Sequence, residues 1–267
     1  MTSAANAELL ALAVSVAREA AALAARRRSE TVTVAATKSS PVDVVTATDR
    51  EVEALIRGRL RDARPSDGFL GEESGSGSSA SGLHWIVDPI DGTVNFLYGI
   101  PHYAVSIAVS EGADPASWSI LAGCVVNPAS GELFAAARGE GATLDGRAVA
   151  VSAPASLGES LVATGFGYDA RVRDEQGATV MRLLSRVRDI RRMGAAALDL
   201  CSIAAGRLDA YFERGLNPWD FAAGALIASE AGALVTTDDV REGRRLVMAA
   251  APSIAREFTE LLRDTRA

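Results

Sequence analysis

The hydrophobic and polar positions of this chain change their spacing along its length, and the first part is typical of a long helix. In the Ala-rich stretch 5–28, Leu9, Val16 and Leu23 recur near helical spacing. The stretch 31–36 is rich in β-branched residues and predicts a strand. The chain therefore opens with a helix that has one apolar face, followed by a strand.

A second helix is predicted from residue 48, where Thr48 and Glu51 form a capping box ahead of apolar residues at 52, 55, 56 and 60. After residue 96 the pattern is that of antiparallel sheet, and from residue 161 helices and strands alternate. The later predicted strands are 103–109, 119–126, 132–137, 161–164, 189–192, 210–213 and two near Leu234 and Leu246, with a hairpin over Asp145–Gly146. The later predicted helices are 175–187, 195–205, 217–231 and one from Ser253.

Composition limits the class of protein. The chain has 267 residues, of which 48% are hydrophobic and 23% are charged, as expected for a globular protein with a sizeable core. Its net charge of −7 argues against general nucleic-acid binding through a basic surface. Charges at Arg18, Glu19 and 26–28 interrupt the apolar N-terminal stretch, so neither a signal peptide nor a membrane span is predicted. We expect a cytoplasmic protein.

Cysteine and histidine are scarce. Cys124 and Cys201 lie in apolar surroundings and are predicted to be reduced core residues. With only His84 and His102 and no paired cysteine spacing, a zinc site is not expected.

The stretch 85–96 carries the strongest chemical signal. Its first three residues read as the end of a buried strand, and Asp88 follows where that strand leaves the sheet. Pro89 is unsuited to a central strand, Gly92 permits a tight turn, and Thr93 precedes an apolar run as a helix-capping residue would. Two neighbouring carboxylates repel unless a cation joins them, and Mg²⁺ prefers such oxygen ligands. The same residue types also favour an ordinary turn, so both interpretations stay open on this stretch alone.

Other acids have the same double interpretation. Glu72 and Glu73 end a short strand at 69–74 and are either surface charge or ligands that converge on the same metal. Asp220 lies in the first turn of a helix after Asn217, which helix-start preferences explain fully. Lys38, Asp43 and Asp49 read as solvated loop residues when taken alone. The serine- and glycine-rich stretch 74–82 is a mobile loop near the site or a simple linker.

Taken together and in order, Gly71-Glu72-Glu73-Ser74, Asp88 to Phe96 and Trp219-Asp220 resemble the inositol monophosphatase family of magnesium-dependent, lithium-sensitive phosphatases. The resemblance extends over nearly the whole chain, including 38–43 and 194–201. It implies a five-layered αβαβα sandwich of α and β elements. It also implies one catalytic domain over 1–267, with a metal and phosphate half at 1–155 and a substrate half at 156–267, and assembly as a homodimer.

The resemblance further implies two or three Mg²⁺ ions and a role for each site residue. The first ion is held by Glu72, Asp88 and the Ile90 carbonyl. The second is held by Asp88, Asp91 and Asp220, and Glu72 helps with a third. Thr93, paired with Asp49, helps Glu72 to deprotonate the attacking water. The remaining implied contacts are phosphate binding at the Gly92 and Thr93 amides, and substrate contacts at Ile90, Asp91, Gly194, Ala195, Ala196, Glu213 and Asp220.

The implied reaction is hydrolysis of a myo-inositol monophosphate by metal-activated water, without a phosphoenzyme. Ala195 departs from the family, which often has Ser or Thr there, and Arg191 and Arg192 add charge just before it. Both features bear on which alcohol is accepted. Histidinol phosphate and fructose 1,6-bisphosphate are alternative substrates, and a nucleotide ranks last because only 5% of the residues are aromatic. A different class of function is that of an RNA-polymerase accessory protein.

Overall fold

The computed structural model describes residues 2–30, 34–37, 44–237 and 239–265, and the helices and strands below are those of this part of the chain. The family-like segment 38–43, with Lys38 and Asp43, lies outside the described residues. The helices are α1 (Ser3–Ser29), α2 (Ala47–Ala63), α3 (Thr93–Tyr98), α4 (Ala170–Leu183), α5 (Ala196–Ala204), α6 (Pro218–Glu230) and α7 (Ala255–Thr265), with a 3-10 turn at Leu157–Glu159.

The strands form a two-stranded ribbon and two larger sheets. The ribbon pairs β1 (Val34–Thr37) with β2 (Val44–Thr46). The first sheet contains β3 (Gly68–Gly71), β4 (Gly75–Ser76), β5 (Leu83–Asp91), β6 (Ala104–Glu111), β7 (Ser119–Val126), β8 (Leu133–Ala137), β9 (Ala142–Leu144) and β10 (Arg147–Val149). The second contains β11 (Leu161–Thr164), β12 (Asp189–Arg191), β13 (Ala210–Arg214), β14 (Leu234–Thr236), β15 (Val240–Arg241) and β16 (Arg244–Ala250).

The first sheet is almost entirely antiparallel. Its strand order is β10-β9-β8-β7-β6-β5-β3-β4, and only β3 and β5 run parallel. The antiparallel pattern predicted after residue 96 is therefore confirmed. Because β3 and β5 are parallel neighbours, their carboxyl ends meet at one edge of the sheet, which brings Glu72 beside Asp88.

The second sheet is mixed, with the strand order β12-β11-β13-β16-β14 and β15 paired to β16. Strand β11 runs parallel to both β12 and β13, whereas β16 is antiparallel to its neighbours. In the parallel register Thr164 lies opposite Phe212, so the residues just beyond β11 stand beside the end of β13.

Helices cover both faces of the two sheets. Helices α1 and α2 pack on the outer face of the first sheet, α5 and α6 lie between the sheets, and α4 and α7 lie outside the second. One buried cluster joins Ile86 and Phe134 of the first sheet to Leu198 and Ala223 of the central helices. This is the five-layered αβαβα sandwich that the family resemblance implies, and the predicted fold class is confirmed.

Most predicted elements are present, and the N-terminal caps of two helices differ from the prediction. The capping box of α2 pairs Thr46 with Asp49, not Thr48 with Glu51, because the helix begins at residue 47. Helix α4 spans 170–183 and not 175–187, since Asp169 caps it through the backbone N–H of Val172. Residues 184–187 of the predicted helix lie beyond its end.

Three further predictions from the sequence concern the stretch 74–82, the two cysteines and membrane crossing. The stretch 74–82 is a loop and not a linker, because β4 pairs back onto β3 and Ser81 donates a hydrogen bond to Asp67 at 2.7 Å. Cys124 and Cys201 are free and buried, as predicted, and burial raises the pKa of the Cys124 thiol to about 12. None of the helices in the described ranges is both long and apolar enough to cross a membrane.

Candidate active site

One pocket collects nearly every residue that the sequence singled out. It has a volume of about 430 Å³ and lies where the edge of the first sheet meets the second sheet and the start of α6. The predicted residues that line it are Glu72, Asp88, Ile90, Asp91, Gly92, Thr93, Gly194, Ala196, Glu213 and Asp220. Asp49 lies behind Thr93, and Ala195, which is 1% exposed, lies behind the wall.

A β-bulge carries the two aspartates of the central motif. Strand β5 was predicted to end at Val87, but it continues to Asp91, with one extra residue between Asp88, opposite Ser106, and Asp91, opposite Ala104. The bulge accommodates Pro89, which has no N–H for a regular ladder, beside β6 and just beyond the residues of β5 that also pair with β3. The bulge therefore places both carboxylates at the pocket on rigid backbone.

A glycine turn follows the bulge. Gly92 has a φ of 85° and is the N-cap of α3, so Thr93 is the first helical residue and not the cap that its position suggested. A Cβ atom at Gly92 would stand 3.0 Å from the carbonyl oxygen of Gly194. The Asn95 side-chain amide donates to the carbonyls of His102 and Met193 at 2.7 and 2.8 Å. These contacts hold the start of α3 against the segment that leads into α5.

Asp88 and Glu72 lie side by side in the pocket, near the ends of β5 and β3. Asp88 is 2% exposed, and its Oδ1 accepts the N–H of Ile90 at 3.0 Å. Burial raises the pKa of Asp88 well above its usual range, and the charges of Glu72, Asp91 and Asp220 raise it further. Ionisation of all four groups is therefore unfavourable until positive charge is added.

Asp91 is held by the N-terminus of α5. Its Oδ2 accepts the backbone N–H of Ala197 at 2.7 Å, and no side chain of the N-cap residue Ala195 competes for that role. Burial raises the pKa of Asp91 well above its usual range, the Ala197 hydrogen bond opposes that shift, and Asp199, Glu213 and Glu72 add to it. The second half of the chain thus fixes a carboxylate of the first.

Asp220 is both a helix-start residue and part of the pocket. It occupies the third helical position of α6, where its Oδ2 accepts the N–H of the N-cap residue Asn217 at 2.6 Å. Burial raises the pKa of Asp220 well above its usual range, and the charges of Glu72 and Asp91 contribute. A helix-start role and a place among the pocket carboxylates are therefore compatible for Asp220.

Asp49 orients the hydroxyl of Thr93. Its Oδ2 accepts the backbone N–H of Thr46 at 2.9 Å, and the Thr93 hydroxyl lies 3.2 Å from its Oδ1 and 3.1 Å from the Ile90 carbonyl. Burial raises the pKa of Asp49 to about 6, against the effect of the Thr46 hydrogen bonds. Because the Thr93 proton points toward these acceptors, its oxygen lone pairs are available to a water molecule.

Several residues in the pocket wall or directly behind it were missed or left without a role by sequence reasoning. Tyr211 donates its O–H to Glu213 Oε2 at 2.8 Å, and the two residues lie two positions apart on β13, so strand periodicity could have linked them. The Arg192 guanidinium lies 5.9 Å from the Phe166 ring centroid. Gly165 and Phe166 follow β11, and no local motif marks them. Other lining residues outside the predicted set are Gly167, Tyr168, Asp169, Val172, Arg214, Gly215, Leu216 and Arg244.

The donor set suits a hard divalent cation. Four carboxylates and the Ile90 carbonyl offer only oxygen, which Mg²⁺ prefers, and the raised carboxylate pKa values show that positive charge is favoured there. Within the described ranges no group of three or more His, Cys, Asp or Glu side chains already has the geometry of a metal site. The fit to a cation therefore rests on ligand chemistry and electrostatics.

A five-layered sandwich with a carboxylate pocket that suits a divalent cation is typical of one class of metal-dependent phosphatases. The chain matches the inositol monophosphatase family over residues 5–266 and belongs to it. It is therefore a phosphoric monoester hydrolase by family, and enzymes of this family generally depend on a metal.

Two relatives and one solved structure illustrate the similarity. The chain is 44% identical over 276 residues to the inositol-1-monophosphatase SuhB of Mycobacterium tuberculosis, covering 96% of this chain and 93% of the relative. It is 37% identical over 268 residues to the Nus factor SuhB of Vibrio cholerae, covering 96% of both chains. The solved structure of Mycobacterium tuberculosis SuhB superposes with a TM-score of 0.83 at 42% identity, covering 97% of both chains.

Proposed function

We propose that this protein hydrolyses a myo-inositol monophosphate to inositol and phosphate in a magnesium-dependent reaction. The observation that carries the proposal is the convergence of Glu72, Asp88, Asp91 and Asp220 on one pocket, where the charges of Glu72 and Asp91 raise the pKa of both Asp88 and Asp220. The proposal is supported further by the name of the Mycobacterium tuberculosis relative.

The carboxylates and the Ile90 carbonyl would hold two or three Mg²⁺ ions. When bound, the metal lowers the pKa of water and offsets the negative charge that develops on the phosphoryl and leaving oxygens. The protein positions the reactants. Thr93, fixed by Asp49, accepts a hydrogen bond from the attacking water, and Glu72 takes its proton. The Gly92 and Thr93 amides bind phosphate oxygens, and Ala196 and Glu213 contact the alcohol.

The test is phosphate release from inositol 1-phosphate, histidinol phosphate and fructose 1,6-bisphosphate, measured side by side with and without Mg²⁺. The highest magnesium-dependent kcat/KM on inositol 1-phosphate supports the proposal. A preference for histidinol phosphate or fructose 1,6-bisphosphate would contradict the proposed substrate but would agree with the proposed mechanism. No release from any of them would contradict both.

A second candidate function is accessory binding to the transcription machinery, favoured by the name of the Vibrio cholerae relative, Nus factor SuhB. It predicts a salt-sensitive complex with RNA polymerase that survives the Asp91→Asn substitution, which the hydrolase function does not survive. A pull-down with purified RNA polymerase over increasing salt, with wild type and the variant in parallel, tests it. The homodimer remains a prediction from the family resemblance, and the cytoplasmic location remains a prediction from the N-terminal sequence pattern.

A further inference from the structure

The carboxylate of Glu213 occupies the space that a side chain at position 165 would need. A Cβ atom built on Gly165 would stand 1.9 Å from Glu213 Oε2 and 2.3 Å from its Cδ, far inside van der Waals contact. Gly165 does not have a positive φ, so its backbone does not require glycine. Glycine at position 165 therefore leaves space for the Glu213 carboxylate and is not required by the backbone conformation.

Tyr211 fixes one oxygen of that carboxylate. Its side chain is fully buried, and its hydroxyl donates to Glu213 Oε2 at 2.8 Å. Among the described residues, Tyr211 is the hydrogen-bond partner of the Glu213 side chain. The other carboxylate oxygen, Oε1, accepts no hydrogen bond from these residues. A half-buried carboxylate with one fixed oxygen and one unused acceptor is suited to hydroxyl groups of a bound alcohol.

A positive charge lies near this carboxylate. Arg192 lines the same pocket, and a Cβ atom on Gly194 would stand 2.5 Å from its Nη1, so the guanidinium folds over that glycine. Burial raises the pKa of Glu213 to about 7, whereas Tyr211 and Arg192 lower it. Both neighbours therefore favour the ionised carboxylate, which is the stronger hydrogen-bond acceptor.

We propose that Gly165 and Tyr211 are positioning residues that hold Glu213 against the pocket wall as an acceptor for the hydroxyl groups of the leaving alcohol. Loss of either residue should therefore weaken the reaction of a polyhydroxylated ester more than that of an ester whose alcohol has no further hydroxyl. The inference rests on the proposed phosphatase function. The carboxylates that would hold the metal are other residues, although the charge of Glu213 also raises the pKa of Asp91 and of Asp220.

Two substitutions disturb the position of Glu213 in different ways. Gly165→Ala displaces the carboxylate, and because the colliding atoms are the end of a flexible side chain, the fold itself is little affected. Tyr211→Phe removes the hydrogen bond and keeps the ring. Matched controls are Gly58→Ala, where a Cβ atom meets nothing within 4 Å, and Tyr98→Phe, where the side chain is 75% exposed.

The measurement compares kcat and KM of each variant on inositol 1-phosphate and on phenyl phosphate, with Mg²⁺ present. We expect kcat/KM on inositol 1-phosphate to fall by about tenfold in both variants, mainly through KM, as for the loss of one hydrogen bond to a charged group. On phenyl phosphate the change should stay within about twofold, and the controls should match wild type on both substrates.

A double-substitution cycle isolates the role of Glu213. In a Glu213→Ala background, Tyr211→Phe should cause no further loss on inositol 1-phosphate, because the group it positions is gone. Equal losses on both substrates, or full additivity in the cycle, would overturn the inference and leave the proposed function intact. Absence of phosphate release from either substrate by the wild-type protein would instead overturn the proposed function, and the inference with it.

Discussion

The two ends of the pocket differ in the charges that surround their carboxylates. At the proposed phosphate end, Glu72, Asp88, Asp91 and Asp220 crowd together, and the charges of the other three raise the pKa of Asp88. At the leaving-group end, Glu213 is stabilised by the Tyr211 hydroxyl and by the charge of Arg192. The first end needs positive charge from a bound cation, whereas the second already has the charge of Arg192, although burial still leaves the pKa of Glu213 raised to about 7. Metal dependence and substrate choice should therefore be separable by substitution.

The largest expected effect comes from removing one carboxylate of the phosphate end. Asp91→Asn should lower kcat by about a thousandfold or more on every phosphate ester, because charge stabilisation of the transition state is lost whatever the alcohol. Phosphate release from inositol 1-phosphate and phenyl phosphate checks this result. Asp62→Asn, at an exposed acid of α2, is the matched control. A loss confined to inositol 1-phosphate would contradict the separation of the two ends.

A smaller loss is expected when the water-orienting hydroxyl is removed. Thr93→Val keeps the shape of the side chain but removes the contact with Asp49 and the Ile90 carbonyl, and it should lower kcat by about a hundredfold. Thr93→Ser keeps the hydroxyl and should retain most activity. Steady-state kinetics of both variants decide the matter, and equal losses in the two would assign Thr93 a role in packing alone.

The third prediction concerns stability and pH. The folded protein binds more protons than the unfolded chain between the unfolded carboxyl pKa, about 4, and the raised values of about 6 for Asp49 and about 7 for Glu213. These groups therefore make the metal-free protein less stable as pH rises through that window. The carboxylates of the phosphate end act in the same direction.

Thermal unfolding in a chelator at several pH values measures this effect. We expect the midpoint to fall by about 5 °C between pH 5 and pH 8, and added Mg²⁺ to raise it more at pH 8 than at pH 5. A midpoint that rises across this range, or an Mg²⁺ increment independent of pH, would show that the carboxylates are not proton-linked as described.

The smallest expected effect lies at the helix that joins the two ends. Ala195 is the N-cap of α5 without a side-chain cap, so Ala195→Ser should raise the free energy of unfolding by about 0.5 kcal/mol, at the low end of N-cap effects because the site is buried. Ala195→Val, which adds bulk without a hydroxyl, is the control. Urea unfolding measures both, and equal changes in the two variants would rule out capping as the cause.

The two ends also differ in how far the sequence predicts them. The acids of the phosphate end follow local signals, namely a strand end, a Pro-Gly turn and a helix start, and the family resemblance joined them. The bulge at Pro89 and the Thr46–Asp49 capping box were missed because one extra residue or a two-residue shift in a helix start leaves the local composition unchanged.

The leaving-group end has no comparable local signal. Gly165 and Glu213 are adjacent only because β11 and β13 are parallel neighbours, and Arg192 reaches the pocket from the segment before α5. A glycine required for space and not for a positive φ looks like any other glycine in the sequence. Only the pair Tyr211 and Glu213, two residues apart on one strand face, could have been recognised from spacing.

The most direct test of the central claim is a calorimetric titration of the protein with Mg²⁺ at pH 7, repeated in buffers with different ionisation enthalpies. If four coupled carboxylates form the metal site, Mg²⁺ must displace protons, so the observed heat should depend on the buffer, and Asp91→Asn should weaken the binding. Buffer-independent heat with unchanged binding in Asp91→Asn, or no binding by the wild-type protein, would contradict the assignment of this pocket as a metal-dependent phosphatase site.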